Sequence, residues 1–112
     1  MRISNISIGI AVLTYNSRHH LAHCLPPLIN SPLKPKVLVI DPDSTDGTPD
    51  VAKILGAEVL KIPYREFNHG LTREKGRKVL GTDIVIFMTP DAYPKDNLFL
   101  EKLVQQMVET RA

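Results

Sequence analysis

Three clusters of acidic and small polar residues in this chain each follow an aliphatic run. Asp41-Pro42-Asp43-Ser44-Thr45-Asp46-Gly47-Thr48 follows Val37-Leu38-Val39-Ile40. Thr89-Pro90-Asp91 follows Ile84 to Met88, and Thr14-Tyr15-Asn16 follows Ile8 to Leu13. In an open parallel sheet, ligands bind in the crevice beyond the carboxyl ends of the strands. Three polar clusters at three such ends predict one shared site. A carboxylate at Asp41 can accept hydrogen bonds from a ligand's N–H or hydroxyl groups, with backbone donors keeping it ionised. The alternative is a structural turn in which Asp43 or Ser44 bonds local backbone. Asp91 suits a hard divalent cation, magnesium or manganese, with oxygen ligands. Such an ion would also hold phosphate oxygens and stabilise a departing diphosphate. A single carboxylate needs phosphate and water to complete that shell, and the alternative is an aspartate in a Pro-Asp-Ala-Tyr-Pro turn. In Phe67-Asn68-His69-Gly70-Leu71-Thr72-Arg73, free N–H groups at a helix start attract phosphate, and Arg73 adds a charged fork. His69 lies beside it, or is an ordinary surface histidine. Lys75, Arg77 and Lys78 read as a solvated face.

Other chemistries lack their residues. There is no Gly-x-Gly-x-x-Gly after the first strand and no Gly-Lys-Ser/Thr loop, so nicotinamide-type and P-loop sites are not expected. No Gly-x-Ser-x-Gly elbow is present. A receiver-like domain would need acidic residues after strand 1, and a nucleotidyltransferase a glycine-rich basic loop there; Thr14-Tyr15-Asn16 supplies neither. Net charge is +2 and no basic stripe is interleaved with aromatics, so no nucleic-acid partner is expected. Cys24 is the only cysteine, which excludes an internal disulfide. It lies near His19, His20 and His23. A helix puts His20 and Cys24 on one face, but also Leu21, Leu25 and Leu28, so a buried core thiol beside solvated histidines is expected. No run approaches the ~20 apolar residues of a membrane span. Ser4, Asn5 and Ser7 interrupt any signal-peptide core. A cytoplasmic location is the expectation.

The elements that must position these residues alternate. Ile6 to Leu13 predicts a strand, and Ser17 a helix N-cap. Pro26-Pro27 should end that helix near Leu25. Lys36 to Ile40 predicts a second strand. Thr48-Pro49-Asp50 is a helix start, with Val51, Ala52, Ile54 and Leu55 as its apolar face. Glu58 to Ile62 is a third strand, 63–68 a loop, and about Gly70 to Leu80 a helix. Asp83 to Met88 is a fourth strand. The last helix begins near Asp96, with Leu100, Leu103, Val104, Met107 and Val108 on one face. A chain of 112 residues holds one domain. Continuous aliphatic strands imply a parallel sheet covered on both faces. Right-handed crossovers leave few topologies, and strand order 3-2-1-4 is predicted.

Three segments carry a resemblance: Val12-Leu13-Thr14-Tyr15-Asn16, Val39-Ile40-Asp41-x-x-Ser44-Thr45-Asp46-Gly47-Thr48, and Phe87-Met88-Thr89-Pro90-Asp91-Ala92-x-Pro94. Together they resemble the N-terminal half of an inverting family-2 glycosyltransferase of the GT-A fold, a Rossmann-like three-layer αβα arrangement. Phe67-x-His69-Gly70-x-Thr72-Arg73 is similar to the rhamnosyltransferase-like branch. The resemblance implies a nucleoside-diphosphate sugar, UDP- or dTDP-linked, as partner, and a role in polysaccharide biosynthesis. Thr14 and Tyr15 would line the base pocket, with Asn16 at the crevice. Asp41 would bond base or ribose, with Asp43 nearby. His69 and Arg73 would lie beside the diphosphate or sugar, and Asp91 would hold the metal. The sequence departs from the family pattern at Pro42, where a second acidic residue is usual, and at Thr89, the first position of the Asp-x-Asp metal motif. The family's acceptor half and general base lie beyond the metal motif. A truncated donor-binding domain, not competent alone, is therefore expected, with residues 1–112 as one partial domain. Self-association, or pairing with a second half through the strand-4 edge, is expected as well. The competing expectation is a non-catalytic α/β regulatory or interaction module derived from such a domain.

Overall fold

The computed structural model describes residues 5–110. Four strands, β1 (Ile8–Leu13), β2 (Lys36–Pro42), β3 (Glu58–Ile62) and β4 (Ile84–Met88), alternate with helices α1 (Arg18–Ile29), α2 (Thr48–Ile54), α3 (His69–Leu80) and α4 (Phe99–Thr110). All pairings are parallel, in the order β3-β2-β1-β4. This is the predicted order, and it leaves β3 and β4 as the two edges.

Side chains alternate across a strand with a period of two, and the core divides accordingly. Ile8, Ile10, Val12, Val37 and Val39 join Leu21, Cys24, Leu25 and Leu28 of α1, Ala52 of α2, and Leu100 and Val104 of α4. Ala11, Leu38 and Ile40 face the other way and join Ile62 and Leu80 of α3. Three helices thus cover one face and α3 alone covers the other. Gly76 is what lets α3 lie so close: a methyl built there would sit 2.8 Å from Ile40 Cδ1.

Several element boundaries differ from expectation for local reasons. β1 begins at Ile8 because Ser7 exchanges hydrogen bonds with Asp83: its N–H donates to the Asp83 carboxylate at 2.9 Å, and its hydroxyl accepts from the Asp83 N–H at 2.8 Å. Pro26 and Pro27 do not end α1, which continues to Ile29. The carbonyls they leave without donors belong to Ala22 and His23, both exposed, where water can satisfy them. The extra turn buries Leu28. Ser17 makes no cap. Its hydroxyl turns back to Tyr15, and the Arg18 N–H at the start of α1 donates instead to Asp46 at 3.1 Å. Asp46 also accepts from the N–H and hydroxyl of Thr48, so one carboxylate serves the first turns of both α1 and α2. Gly47 (φ 87°) makes the left-handed turn between them. Ile54, expected on the buried face of α2, is 82% exposed. Asn68 caps α3, accepting from the Leu71 N–H at 3.1 Å, and a short 3-10 turn, Tyr64–Glu66, occupies the expected loop. α4 starts at Phe99, three residues later than predicted; Asp96 accepts from the Leu98 N–H ahead of it.

Candidate functional site

A cavity of about 510 Å³ opens at the carboxyl ends of the strands. Leu13, Thr14 and Tyr15 reach it from β1, Pro42 from β2, and Phe87, Met88 and Thr89 from β4. Tyr64, Phe67, His69 and Arg73 come from the β3–α3 segment, and Ala92 from the β4–α4 loop. It lies on the α3 side of the sheet, because Leu13, Pro42 and Phe87 have the parity of Ala11, Ile40 and Val85, which pack on that side. The Arg73 guanidinium stands over the Phe87 ring at 5.6 Å from its centroid. This cation–π contact holds the charge within the cavity. His69 meets the edge of Phe67 at 4.9 Å between centroids. Tyr15 and Tyr64 touch at 5.0 Å with rings tilted by 43°.

Of the sequence-predicted residues, Thr14, Tyr15, His69 and Arg73 are brought together here. Asp41 is not among them. It is 1% exposed, and its oxygens accept from the Thr14 hydroxyl at 2.7 Å, the Ser44 hydroxyl at 2.5 Å and the Ser44 N–H at 2.9 Å. Strand parity is the physical reason. Asp41 follows Val37 and Val39 onto the α1–α2 side of β2, whereas Pro42 follows Leu38 and Ile40 onto the cavity side. The carboxylate therefore ties the end of β1 to the start of the β2–α2 loop, and the direct ligand contact expected of it is not what the geometry provides.

Asn16 and Asp43 also lie outside the lining, and both adopt left-handed backbone, at φ 47° and 53°. Asn16 donates its N–H to the Ser44 hydroxyl at 2.8 Å and accepts from the Thr45 N–H at 2.8 Å. Asp43 accepts from the Tyr64 N–H at 3.0 Å. Each links two loops that form the cavity wall. Burial pushes the Asp46 carboxyl up, but hydrogen bonds from the Thr48 hydroxyl and from the Arg18 and Thr48 N–H groups outweigh it and leave the group below the usual carboxylate range.

Asp91 is not in the cavity lining, although Thr89 and Ala92 near it in sequence are, and its charge acts on His20 and Cys24 of α1. Hydrogen bonding to the Thr89 hydroxyl and to its own backbone N–H lowers its pKa; slight burial opposes this, and the His20 charge adds to the lowering. It is therefore ionised at neutral pH. Among the described residues, no group of three or more His, Cys, Asp or Glu side chains is placed to hold a metal. His20 and His23 instead hold Tyr93: His20 Nδ1 lies 2.5 Å from the Tyr93 hydroxyl, and the His23 ring lies 5.0 Å from the Tyr93 ring. Cys24 is fully buried, and burial, with Asp91 adding, pushes its thiol up to about 11. It is an inert core residue, as expected.

Tyr64 is the lining residue outside every sequence motif, and Leu13, Pro42, Phe67, Phe87, Met88 and Ala92 line the cavity from within the motifs without an expected site role. Parity along β2 and β4 was the available signal for Pro42 and Phe87. No sequence pattern marks Tyr64, which reaches the cavity only because the 3-10 turn folds back onto Asp43.

Comparisons with known proteins agree with this geometry. Residues 9–112 match the family described as "Glycosyl transferase family 2". The O-antigen chain rhamnosyltransferase RfbN of Salmonella typhimurium is 32% identical over 102 residues, covering 88% of this chain and 32% of that protein. The chain thus spans about a third of the length of the curated relatives it matches. Among solved structures, S. aureus TarS 1-349 superposes with a TM-score of 0.76 at 22% identity, over 93% of this chain and 33% of that one. Glucosyl-3-phosphoglycerate synthase of Mycobacterium tuberculosis, in complex with Mn2+, uridine diphosphate and glucosyl-3-phosphoglycerate, does so with a TM-score of 0.76 at 22% identity, over 93% and 40%. These two show the fold: a parallel sheet in the order 3-2-1-4 with helices on both faces.

Proposed function

The chain belongs to glycosyl transferase family 2, and on that footing we propose that it binds the nucleoside-diphosphate part of an activated sugar, UDP- or dTDP-linked, for inverting transfer. The cavity carries this reading. Tyr64 follows β3 and Phe87 belongs to β4, the two edges of the sheet. Three inter-strand steps separate these edges, about 14 Å, a span suited to a base at one end and a diphosphate at the other. The exposed rings of Tyr15, after β1, and Tyr64, after β3, offer a base its stacking surface. Arg73, over Phe87 of β4, together with His69 and the first turn of α3, offers cationic and N–H donors for phosphate oxygens.

A divalent cation would have one protein oxygen ligand here, Asp91. Asp91 is exposed and ionised beside Thr89, so magnesium or manganese would be held jointly by Asp91, the diphosphate and water. When bound, the ion would neutralise charge developing on the departing diphosphate. Among the described residues no carboxylate lines the cavity. On this reading these residues serve donor binding; activation of an acceptor hydroxyl needs a general base within its reach.

Calorimetric titration of the 112-residue chain with UDP and dTDP, with and without manganese, tests the proposal. Binding of at least one, tighter with metal, is expected; silence from both at millimolar concentration overturns it. Arg73→Ala should weaken UDP by about 10- to 100-fold, the worth of a charge-assisted hydrogen bond, and leave uridine nearly unchanged. Equal losses for both would remove Arg73 from the phosphate site. Asp91→Asn should leave metal-free UDP binding intact and abolish the manganese enhancement. An undiminished enhancement would retire Asp91 as a metal ligand.

A further inference from the structure

We propose that Tyr64 is the second aromatic wall of the base subsite and that Asp43 is the residue that positions it; this rests on the donor-binding reading above. Tyr15 and Tyr64 both line the cavity, yet remain 50% and 58% exposed. Two large rings half in water beside a ligand cavity are surfaces that a base can cover. Their centroids are 5.0 Å apart and their planes are tilted by 43°, so they meet as two panels at an angle rather than as a closed stack. A base laid on one panel touches the rim of the other. Tyr15 is fixed by its neighbours: its N–H donates to the Ser17 hydroxyl at 3.0 Å and its carbonyl accepts from the same hydroxyl at 3.0 Å.

Tyr64 is held locally only through its carbonyl, which accepts from the Phe67 N–H at 3.0 Å. It opens a three-residue 3-10 turn after Pro63, and its backbone N–H donates across 21 residues of sequence to the Asp43 carboxylate at 3.0 Å. Asp43 reaches that position because its backbone is left-handed, at φ 53°, a conformation that aspartate and asparagine tolerate better than most residues. A backbone held in this sparsely populated region persists where the surroundings require it. The bond it makes possible brings the Tyr64 turn against the β1 loop. The carboxylate thus acts on the base through Tyr64 rather than by touching it.

UDP dissociation constants for the wild-type chain, Tyr64→Ala, Tyr64→Phe, Tyr64→Leu, Asp43→Ala and Asp43→Asn provide the test. Tyr64→Ala and Tyr64→Leu should each weaken UDP by about tenfold, the scale of one base–aromatic stack, and Tyr64→Phe should restore wild-type affinity. The chain has three tyrosines and no tryptophan, so tyrosine emission provides a second readout. Saturating UDP should change emission in the wild type, and the change should be smaller in Tyr64→Phe at unaltered affinity. Asp43→Ala should lose several-fold in affinity, and Asp43→Asn, which keeps an acceptor oxygen and tolerates the same backbone, should recover it. Wild-type affinity in Tyr64→Ala, or a loss in Tyr64→Phe as large as in Tyr64→Ala, overturns the stacking role while UDP binding itself stands. Wild-type affinity in Asp43→Ala overturns the positioning role. A wild-type chain that binds neither UDP nor dTDP overturns the donor-binding reading and this inference with it.

Discussion

Asp41→Ala should lower the stability of the folded chain by about 3 kcal/mol, an effect as large as many core truncations. The carboxylate is 1% exposed and accepts three hydrogen bonds, two from Ser44 and one from Thr14. Removing it leaves the part-buried Ser44 N–H and hydroxyl without this acceptor, and the buried Thr14 hydroxyl with only the Ile40 carbonyl at 3.3 Å. Hydrogen bonds to charged groups contribute about 1.5–3 kcal/mol, and a buried donor left alone adds its desolvation penalty. An asparagine side chain in its place would retain one acceptor oxygen but point an N–H₂ group at donors, so Asp41→Asn should fall between the wild type and alanine. Denaturant melts of the three proteins measure this directly. UDP affinity should fall in step with the disorder of the Thr14 and Ser44 loops. An Asp41→Ala protein with an unchanged denaturation midpoint and a UDP affinity reduced by more than about tenfold would return Asp41 to direct ligand contact.

Gly76→Leu should be the second severe change, for a reason at the other end of α3. A methyl at Gly76 would lie 2.8 Å from Ile40 Cδ1 and 3.7 Å from the Ala11 Cβ, both fully buried on the sheet. Overpacking of this kind costs about 1–3 kcal/mol. Alanine should be milder, because its better helix propensity returns about 1 kcal/mol and the end of the Ile40 side chain can turn aside. Leucine has to push the helix away from β1 and β2. Arg73 and His69 lie one and two turns earlier on that helix, so displacement withdraws both from the cavity. The expected signature is a lower melting midpoint together with UDP binding weakened by more than about tenfold at temperatures where the variant is still folded. A Gly76→Leu protein that binds UDP like the wild type would show that the close approach of α3 does not set the position of Arg73.

The architecture was legible because its signals were long and mutually consistent. Val37 to Ile40 is a buried strand and Ile84 to Met88 a half-buried edge strand, and helix starts such as Thr48-Pro49-Asp50 separated such runs, so the order 3-2-1-4 followed from connection rules. The site was half legible. Thr14, Tyr15, His69 and Arg73 reach the cavity, since each lies at a strand end or a helix start whose position the pattern had already defined. Asp41 misled because a motif names a residue without saying which face of the strand it takes. Counting by twos from Val37 would have sent Asp41 inward and Pro42 to the cavity. Tyr64 was beyond reach, since nothing in 63–68 announces that Asp43, twenty-one positions earlier, will accept its N–H. The prolines of α1 misled in the opposite sense: their local preference yielded to the burial of Leu28.

The lone sulfhydryl in the three-helix layer gives this molecule a built-in clock. Cys24 is sealed under α1 with its ionisation suppressed, so an alkylating reagent can reach it only while that layer is transiently open. Since no second thiol competes, the labelling rate tracks the population of the open layer when reclosing is faster than alkylation. The proposed nucleotide site lies across the sheet, against α3. Whether UDP slows the clock therefore tells how far clamping one side of the sheet quiets the other.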